Sequence, residues 1–84
     1  MSDPLPWTLL RHRVLNAVRD GKVSVSGDGP WLFSRPVSTQ AQMARAMNGL
    51  WHGDYVHVNT WRGVELTPRG KRLLARWSER REVV

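Results

Sequence analysis

Residues 55–77 read YVHVNTWRGVELTPRGKRLLARW. Aliphatic and aromatic residues flank the five residues 59–63, which have the length and the glycine of a hairpin loop. This pattern predicts an antiparallel hairpin with strands at 55–58 and 63–66. If the aliphatic side chains of both strands point inward, alternation places three residues on the opposite side, namely Tyr55, His57 and Glu65.

The residues that follow this hairpin predict a helix over 68–80. Thr67 is a favourable N-cap and Pro68 suits the first helical position, where its missing N–H group costs nothing. The apolar stripe of the predicted helix consists of Leu73, Leu74 and Trp77.

Upstream of the hairpin, helical periodicity predicts a second helix over 39–52. Thr39 and Gln42 have the spacing of a capping box, and Gly53 provides a stop. The spacing assigns five residues to the inner face of this helix, namely Met43, Ala46, Met47, Leu50 and Trp51.

The N-terminal part of the chain predicts a helix over 7–20, with Asp3 or Thr8 as its cap and Gly21 at its end. Alternating valines and serines, a turn rich in glycine and a second apolar run then predict another hairpin, with strands at 22–26 and 30–34. The predicted order is therefore helix, hairpin, helix, hairpin, helix, which is an α+β fold.

Composition and length favour one compact domain over residues 1–84, with 1–5 and 80–84 frayed. The 84 residues suffice for one core, and 40% of them are apolar. Cysteine is absent, so disulfides and thiolate zinc sites are excluded. The net charge of +6 suits a polyanionic partner, although a soluble basic surface has the same composition.

The stretch from Met43 to Leu74 resembles winged helix-turn-helix DNA-binding domains. The resemblance lies in a helix ending in LWHGDYV, a short hairpin, and the sequence VELTPRGKRLL. It implies a compact winged-helix-like domain with a recognition helix at 39–51, a wing tip at 59–63 and a trailing helix at 68–77. The family has a helix before the recognition helix, whereas residues 21–38 predict a hairpin here. The chain is also similar to small winged-helix-like proteins of actinobacteria and their phages.

Three groups of residues are candidates for contact with double-stranded DNA. Gln42, Arg45 and Asn48 occupy the outer face of the middle helix, and these residue types read bases through paired hydrogen bonds. Trp61 and Arg62 lie at the predicted hairpin tip, where an arginine can enter a minor groove. The last group would hold phosphates and consists of Arg69, Lys71 and Arg72. Ordinary solvated helix faces have similar compositions, so this reading is an expectation.

These features favour a small transcriptional regulator of phage or mobile-element type. The alternative is a protein-interaction module, for example a phage product that binds a host protein through a tryptophan-rich surface. No catalytic residues, metal ligands or cofactor are expected, because the three histidines lack suitable neighbours. Apolar runs are too short for a membrane span, which favours the cytoplasm. A homodimer through the first or last helix is a further expectation.

Overall fold

The computed structural model describes residues 5–27, 30–36 and 38–79, and within them the predicted order of elements is confirmed. The first helix and first hairpin are α1 (Leu9–Arg19), β1 (Val23–Val25) and β2 (Trp31–Phe33). The remaining elements are α2 (Gln40–His52), β3 (Val56–Val58), β4 (Val64–Leu66) and α3 (Pro68–Ser78). The positions 80–84 and the candidate cap Asp3 lie outside the described residues. No described helix is long and apolar enough to cross a membrane.

The first helix begins at Leu9, two positions later than the predicted start at residue 7. Thr8 is extended, and its hydroxyl accepts a hydrogen bond from the Arg11 amide, which makes Thr8 the N-cap. Trp7 therefore precedes the helix and packs back on it. Its indole Nε1 donates to Nδ1 of His12 at 3.0 Å, across the positions that a hydrophobic staple joins.

Half of the predicted capping box on α2 is confirmed. The Thr39 hydroxyl accepts a hydrogen bond from the Gln42 amide at 3.2 Å, so Thr39 caps the helix and Gln40 is its first residue. The Gln42 side chain does not complete the box. Its Oε1 instead accepts a hydrogen bond from the Ser38 hydroxyl.

The two antiparallel hairpins are joined edge to edge. An isolated bridge pairs Ser24 of β1 with Gly63, and the Val25 amide donates to the Arg62 carbonyl at 2.9 Å. Val56 and Val64 point into the core, while His57 and Glu65 are exposed opposite one another, as alternation predicted. The strands thus follow one another across the molecule in the order β2, β1, β4, β3.

The core forms around α1, which packs against α2, α3 and β4. Leu15 of α1 and Met47 of α2 are fully buried at its centre. Most of the predicted inner face of α2 is confirmed, but Trp51 is 43% exposed. Trp51 lies at the edge of that face, and its ring contacts Trp31 of the first hairpin instead of the core.

The prediction that Tyr55 faces away from the core is wrong. Tyr55 precedes the regular strand, so strand alternation does not set its direction, and only 4% of it is exposed. Its hydroxyl accepts a hydrogen bond from the Leu5 amide at 3.2 Å. This contact attaches Leu5 to the fold. The other residues of the segment predicted to fray, 1–4, lie outside the described residues.

The start of α3 lies directly against the backbone of Tyr55. The Thr67 amide donates to the Tyr55 carbonyl at 3.1 Å, and the Thr67 hydroxyl donates to the Asp54 carbonyl at 2.6 Å. A Cβ atom on Gly70 would stand 1.9 Å from the same Tyr55 carbonyl oxygen. Only glycine therefore allows α3 to approach this closely.

We expect Gly70→Ala to lower the free energy of unfolding by about 3 kcal/mol or more, because the Tyr55 carbonyl cannot move away from the added methyl group unless α3 is displaced. Gly49→Ala is the matched control. A Cβ atom there meets nothing within 4 Å, so its gain in helix propensity should stabilise the protein by up to about 1 kcal/mol. Urea denaturation measures both changes, and equal stability of the two variants would contradict this packing.

The contact between Trp7 and His12 makes stability depend on pH. Burial, with a smaller contribution from the charge of Arg19, lowers the pKa of His12 below its ordinary value of 6.5. The His12 ring also packs near Trp77, with ring centroids 5.9 Å apart. Protonation of Nδ1 would remove the acceptor that the Trp7 indole uses.

Because the unfolded chain binds this proton more readily than the folded one, the stabilisation is complete above about pH 6.5 and is lost as the pH falls. We therefore expect a lower free energy of unfolding at about pH 5 than at about pH 7.5. His12→Gln keeps an acceptor but does not titrate, so this variant should show a smaller difference. Denaturation curves at both pH values measure the effect, and an identical pH dependence would exclude His12 as its source.

Candidate nucleic-acid interface

The outer face of α2 is formed by polar residues, because its apolar residues are used by the core. Gln42, Arg45 and Asn48 are all exposed, as is His52 at the end of the helix. Successive residues of an α-helix turn by about 100°, so Arg45 lies about 60° from each of the other two candidates. The three predicted base-reading residues therefore share one side of α2, with Arg45 in the middle.

The first hairpin is fixed to one flank of this face through Trp31. The Trp31 indole Nε1 donates to Oδ1 of Asn48 at 3.0 Å, and the Gln40 side chain donates to the Trp31 carbonyl at 2.9 Å. The Trp31 and Trp51 ring centroids lie 5.5 Å apart. Sequence reasoning missed this contact, because it joins elements whose packing no local pattern specifies.

The two outer candidates on α2 are thus held by neighbouring side chains. Asn48 accepts from Trp31 and retains its amide nitrogen and a second lone pair for another partner. Gln42 accepts from Ser38 on the opposite flank. Within the described ranges Arg45 forms no ion pair, so its guanidinium faces solvent between two oriented amides.

The tip of the second hairpin is a closed turn built on Asn59. Oδ1 of Asn59 accepts hydrogen bonds from the amides of Trp61 at 2.8 Å and Gly63 at 2.9 Å. The Arg62 amide donates to the Asn59 carbonyl at 3.1 Å. Trp61 projects from this turn and is 88% exposed. The structure therefore holds a large aromatic ring in water on a firmly bonded loop.

Arg62 connects this tip to the first hairpin. Its backbone is left-handed, with a φ of 66°, a conformation that residues other than glycine rarely adopt. Its Nη1 donates to the Gly27 carbonyl at 3.0 Å, and its own carbonyl accepts from Val25. The guanidinium is exposed but shares its donors with the fold, so Arg62 is both an anchor and a candidate contact.

The basic residues of α3 do not form one group. Lys71 projects about 160° away from Arg69 around the helix, whereas Arg72 and Arg76 lie within about 60° of Arg69. Arg69 also packs on Tyr55, with its guanidinium carbon 4.7 Å from the ring centroid. No single phosphate backbone can therefore contact Arg69, Lys71 and Arg72 together through one side of α3.

The contact between Arg69 and Tyr55 changes the acidity of the phenol. Burial by itself raises the pKa of Tyr55, but the hydrogen bonds from Arg69 and the Leu5 amide and the charge of Arg69 outweigh it. The pKa of Tyr55 consequently lies below its ordinary value. Arg69 is therefore partly committed to holding the N-terminal segment and α3 together.

Most of the positive charge on the described residues is not paired with a carboxylate. Among the described residues, Arg19 with Asp20 is the one ion pair between an arginine or lysine and a carboxylate. Two further arginines of the sequence, Arg80 and Arg81, lie outside the described ranges. The remaining basic side chains thus add to a positive field that a polyanion would reduce.

The candidate residues of α2 and of the second hairpin are linked through the first hairpin. Trp31 contacts Asn48 and pairs with Val25, and the Val25 amide bonds to the Arg62 carbonyl next to Trp61. The candidates on α3 are placed differently, because that helix packs on α1 and β4. We therefore define the α2–tip surface as Gln42, Arg45, Asn48, Trp61 and Arg62.

Comparisons with protein-family models, with curated proteins and with solved structures each return no match.

Proposed function

We propose that this chain binds double-stranded DNA by placing the outer face of α2 in the major groove. The proposal rests on the environment of Arg45. Its guanidinium is exposed in the middle of a polar helix face and has no ion-pair partner among the described residues. An α-helix about 10–12 Å across fits a major groove about 12 Å wide. Arg45 is thus the residue that would reach a base edge.

Arginine discriminates among bases because guanine alone offers two adjacent acceptors, N7 and O6, in the major groove. A good pair of this kind is worth about 1–3 kcal/mol of discrimination. Gln42 and Asn48 are oriented in advance by Ser38 and Trp31, which reduces the entropy lost when they bind. Their remaining donors and acceptors suit adenine.

The tip of the second hairpin would flank the groove, with Trp61 and Arg62 against the sugar-phosphate backbone or the minor groove. On α3, either the side with Arg69 and Arg72 or the side with Lys71 contributes phosphate contacts, but not both to one strand. Such contacts supply affinity that depends on salt and not on sequence.

A chain with one such helix would act by occupying a site on DNA. We therefore propose a small transcriptional regulator of phage or mobile-element type in the cytoplasm, without catalytic activity. A homodimer through α1 or α3 stays a prediction. It would place two recognition helices on neighbouring half-sites.

Selection of bound duplexes from a random library, followed by fluorescence anisotropy, tests the proposal. We expect micromolar or tighter binding at about 50 mM salt that weakens steeply towards about 200 mM. Arg45→Ala should lose about 1–3 kcal/mol of preference for the selected site. Arg76→Ala, which removes the same charge from an exposed position on α3, should change affinity for all sequences alike. Absence of duplex binding at low salt would refute the proposal.

Trp61 supports a second candidate, a protein-interaction module. A tryptophan that is 88% exposed on a bonded turn has the character of a rigid interface anchor, since little ordering entropy remains to be lost on binding. In this role a host protein or another regulatory protein would cover Trp61, and the basic helix faces would only keep the chain soluble.

Affinity capture from nuclease-treated lysate separates the two candidates. If the chain is an interaction module, one protein should remain bound in stoichiometric amounts after nuclease treatment. Trp61→Ala should release it, because the loss of a central aromatic anchor costs about 2 kcal/mol or more. Arg45→Ala should retain it. Release of every captured protein by nuclease would exclude this second candidate.

A further inference from the structure

A cleft of about 560 Å³ opens between α1 and the end of the first hairpin. Three basic side chains from separate parts of the chain line it, namely Arg13, Lys22 and Arg35. All three are exposed. None belongs to the α2–tip surface, and sequence spacing does not bring them together.

Backbone hydrogen bonds assemble this cleft. Gly21, in the left-handed conformation with a φ of 73°, ends α1, and the Lys22 amide then donates back to the Ala17 carbonyl at 2.9 Å. The Lys22 carbonyl accepts from the Ser34 amide at 2.9 Å, which extends the β1–β2 ladder by one pair. Arg35 follows Ser34 directly, so the hairpin register delivers it beside Lys22.

The charges in the cleft are not balanced by the residues that line it. Asp20 also lines the cleft, but its Oδ1 already accepts from Nε of Arg19 at 3.1 Å. The exposed carbonyl groups at the end of α1 attract a basic residue in the last turn of the helix, and this attraction explains Arg19. The same attraction does not explain Arg13, which lies closer to the start of the helix, or Arg35, which belongs to another element. Three cations therefore repel one another around an open space that an anion would fill.

We infer that this cleft binds a phosphate group. Arginine and lysine donors from three positions can surround phosphate oxygens, and Asn16 adds a polar side chain at the same wall. The phosphate comes either from a nucleic-acid backbone or from a small phosphorylated ligand. The first source rests on the proposed function.

The position of the cleft favours a backbone phosphate beside the proposed recognition helix. Arg35 precedes the α2 N-cap Thr39 by a segment that spans at most about 14 Å. A duplex lying along α2 would therefore pass near the cleft, and its phosphate would fix the register of the helix in the groove.

Two variants change the cleft in opposite directions. Arg35→Ala removes one phosphate donor, whereas Asp20→Asn removes the carboxylate that opposes an anion and leaves the backbone end of α1 intact. Arg76→Ala again serves as the control, because it removes one positive charge from α3, outside the cleft. Each protein is titrated with pyrophosphate by calorimetry and with the selected duplex by anisotropy over a range of salt.

For a backbone phosphate we expect Arg35→Ala to weaken duplex binding about three- to tenfold, more than Arg76→Ala does, and to reduce the salt slope by about 0.9. Asp20→Asn should strengthen binding about two- to threefold, a gain that misfolding cannot produce. For a small ligand, the same pattern should appear with pyrophosphate and not with duplex.

The outcomes separate this inference from the proposed function. Pyrophosphate binding that responds to both variants, without duplex binding, would support the cleft and refute the DNA proposal. Sequence-selective duplex binding that depends on Arg45 but matches wild type in both cleft variants, without pyrophosphate binding, would overturn the cleft alone. Binding of neither probe would overturn both.

Discussion

The structure depends on the close approach of α3 to the backbone of Tyr55. Gly70 permits that approach, and Thr67 secures it by bonding to Asp54 and Tyr55 through its hydroxyl and its amide. Tyr55 in turn holds the N-terminal segment through its hydroxyl and supports Arg69 on its ring. One residue between α2 and β3 thus sets the positions of two other segments, the N-terminal segment and α3. With α3 fixed in this way, Trp77 and Leu74 close the core on α1.

A second set of contacts links α2, the first hairpin and the tip of the second hairpin. The first hairpin is bonded to α2 through Trp31 and to the second hairpin tip through Val25 and Arg62. The left-handed backbone of Arg62 is unfavourable by itself, and the bonds to Gly27 and Val25 offset its cost. The tip therefore cannot move freely relative to α2. Rigid presentation of this kind is what a groove-reading surface and a protein anchor both require.

Local sequence patterns predict the elements well and their mutual packing poorly. Periodicity and capping residues predict every helix and strand to within about two residues, because Thr8, Thr39 and Thr67 act as caps through purely local bonds. The orientations predicted for Trp51 and Tyr55 are wrong: Trp51 packs on the distant Trp31, and Tyr55 precedes the regular strand, where alternation does not set its direction. The Trp31 contact and the cleft beside Lys22 depend on hairpin register and docking, which periodicity does not encode. Exposed candidates such as Arg45 were found because helix geometry alone places them.

We propose that α2 and the second hairpin tip, joined by the first hairpin, form one surface for duplex DNA. Amide and indole resonances recorded during a titration with the selected duplex test it most directly. We expect shifts at Arg45, at the Trp31 and Trp61 indoles and at Arg62. We expect these shifts to exceed those at Ala75 and Ser78, which lie on α3 outside the α2–tip surface. Shifts confined to α3, with the Trp61 and Arg45 signals unchanged, would contradict the claim.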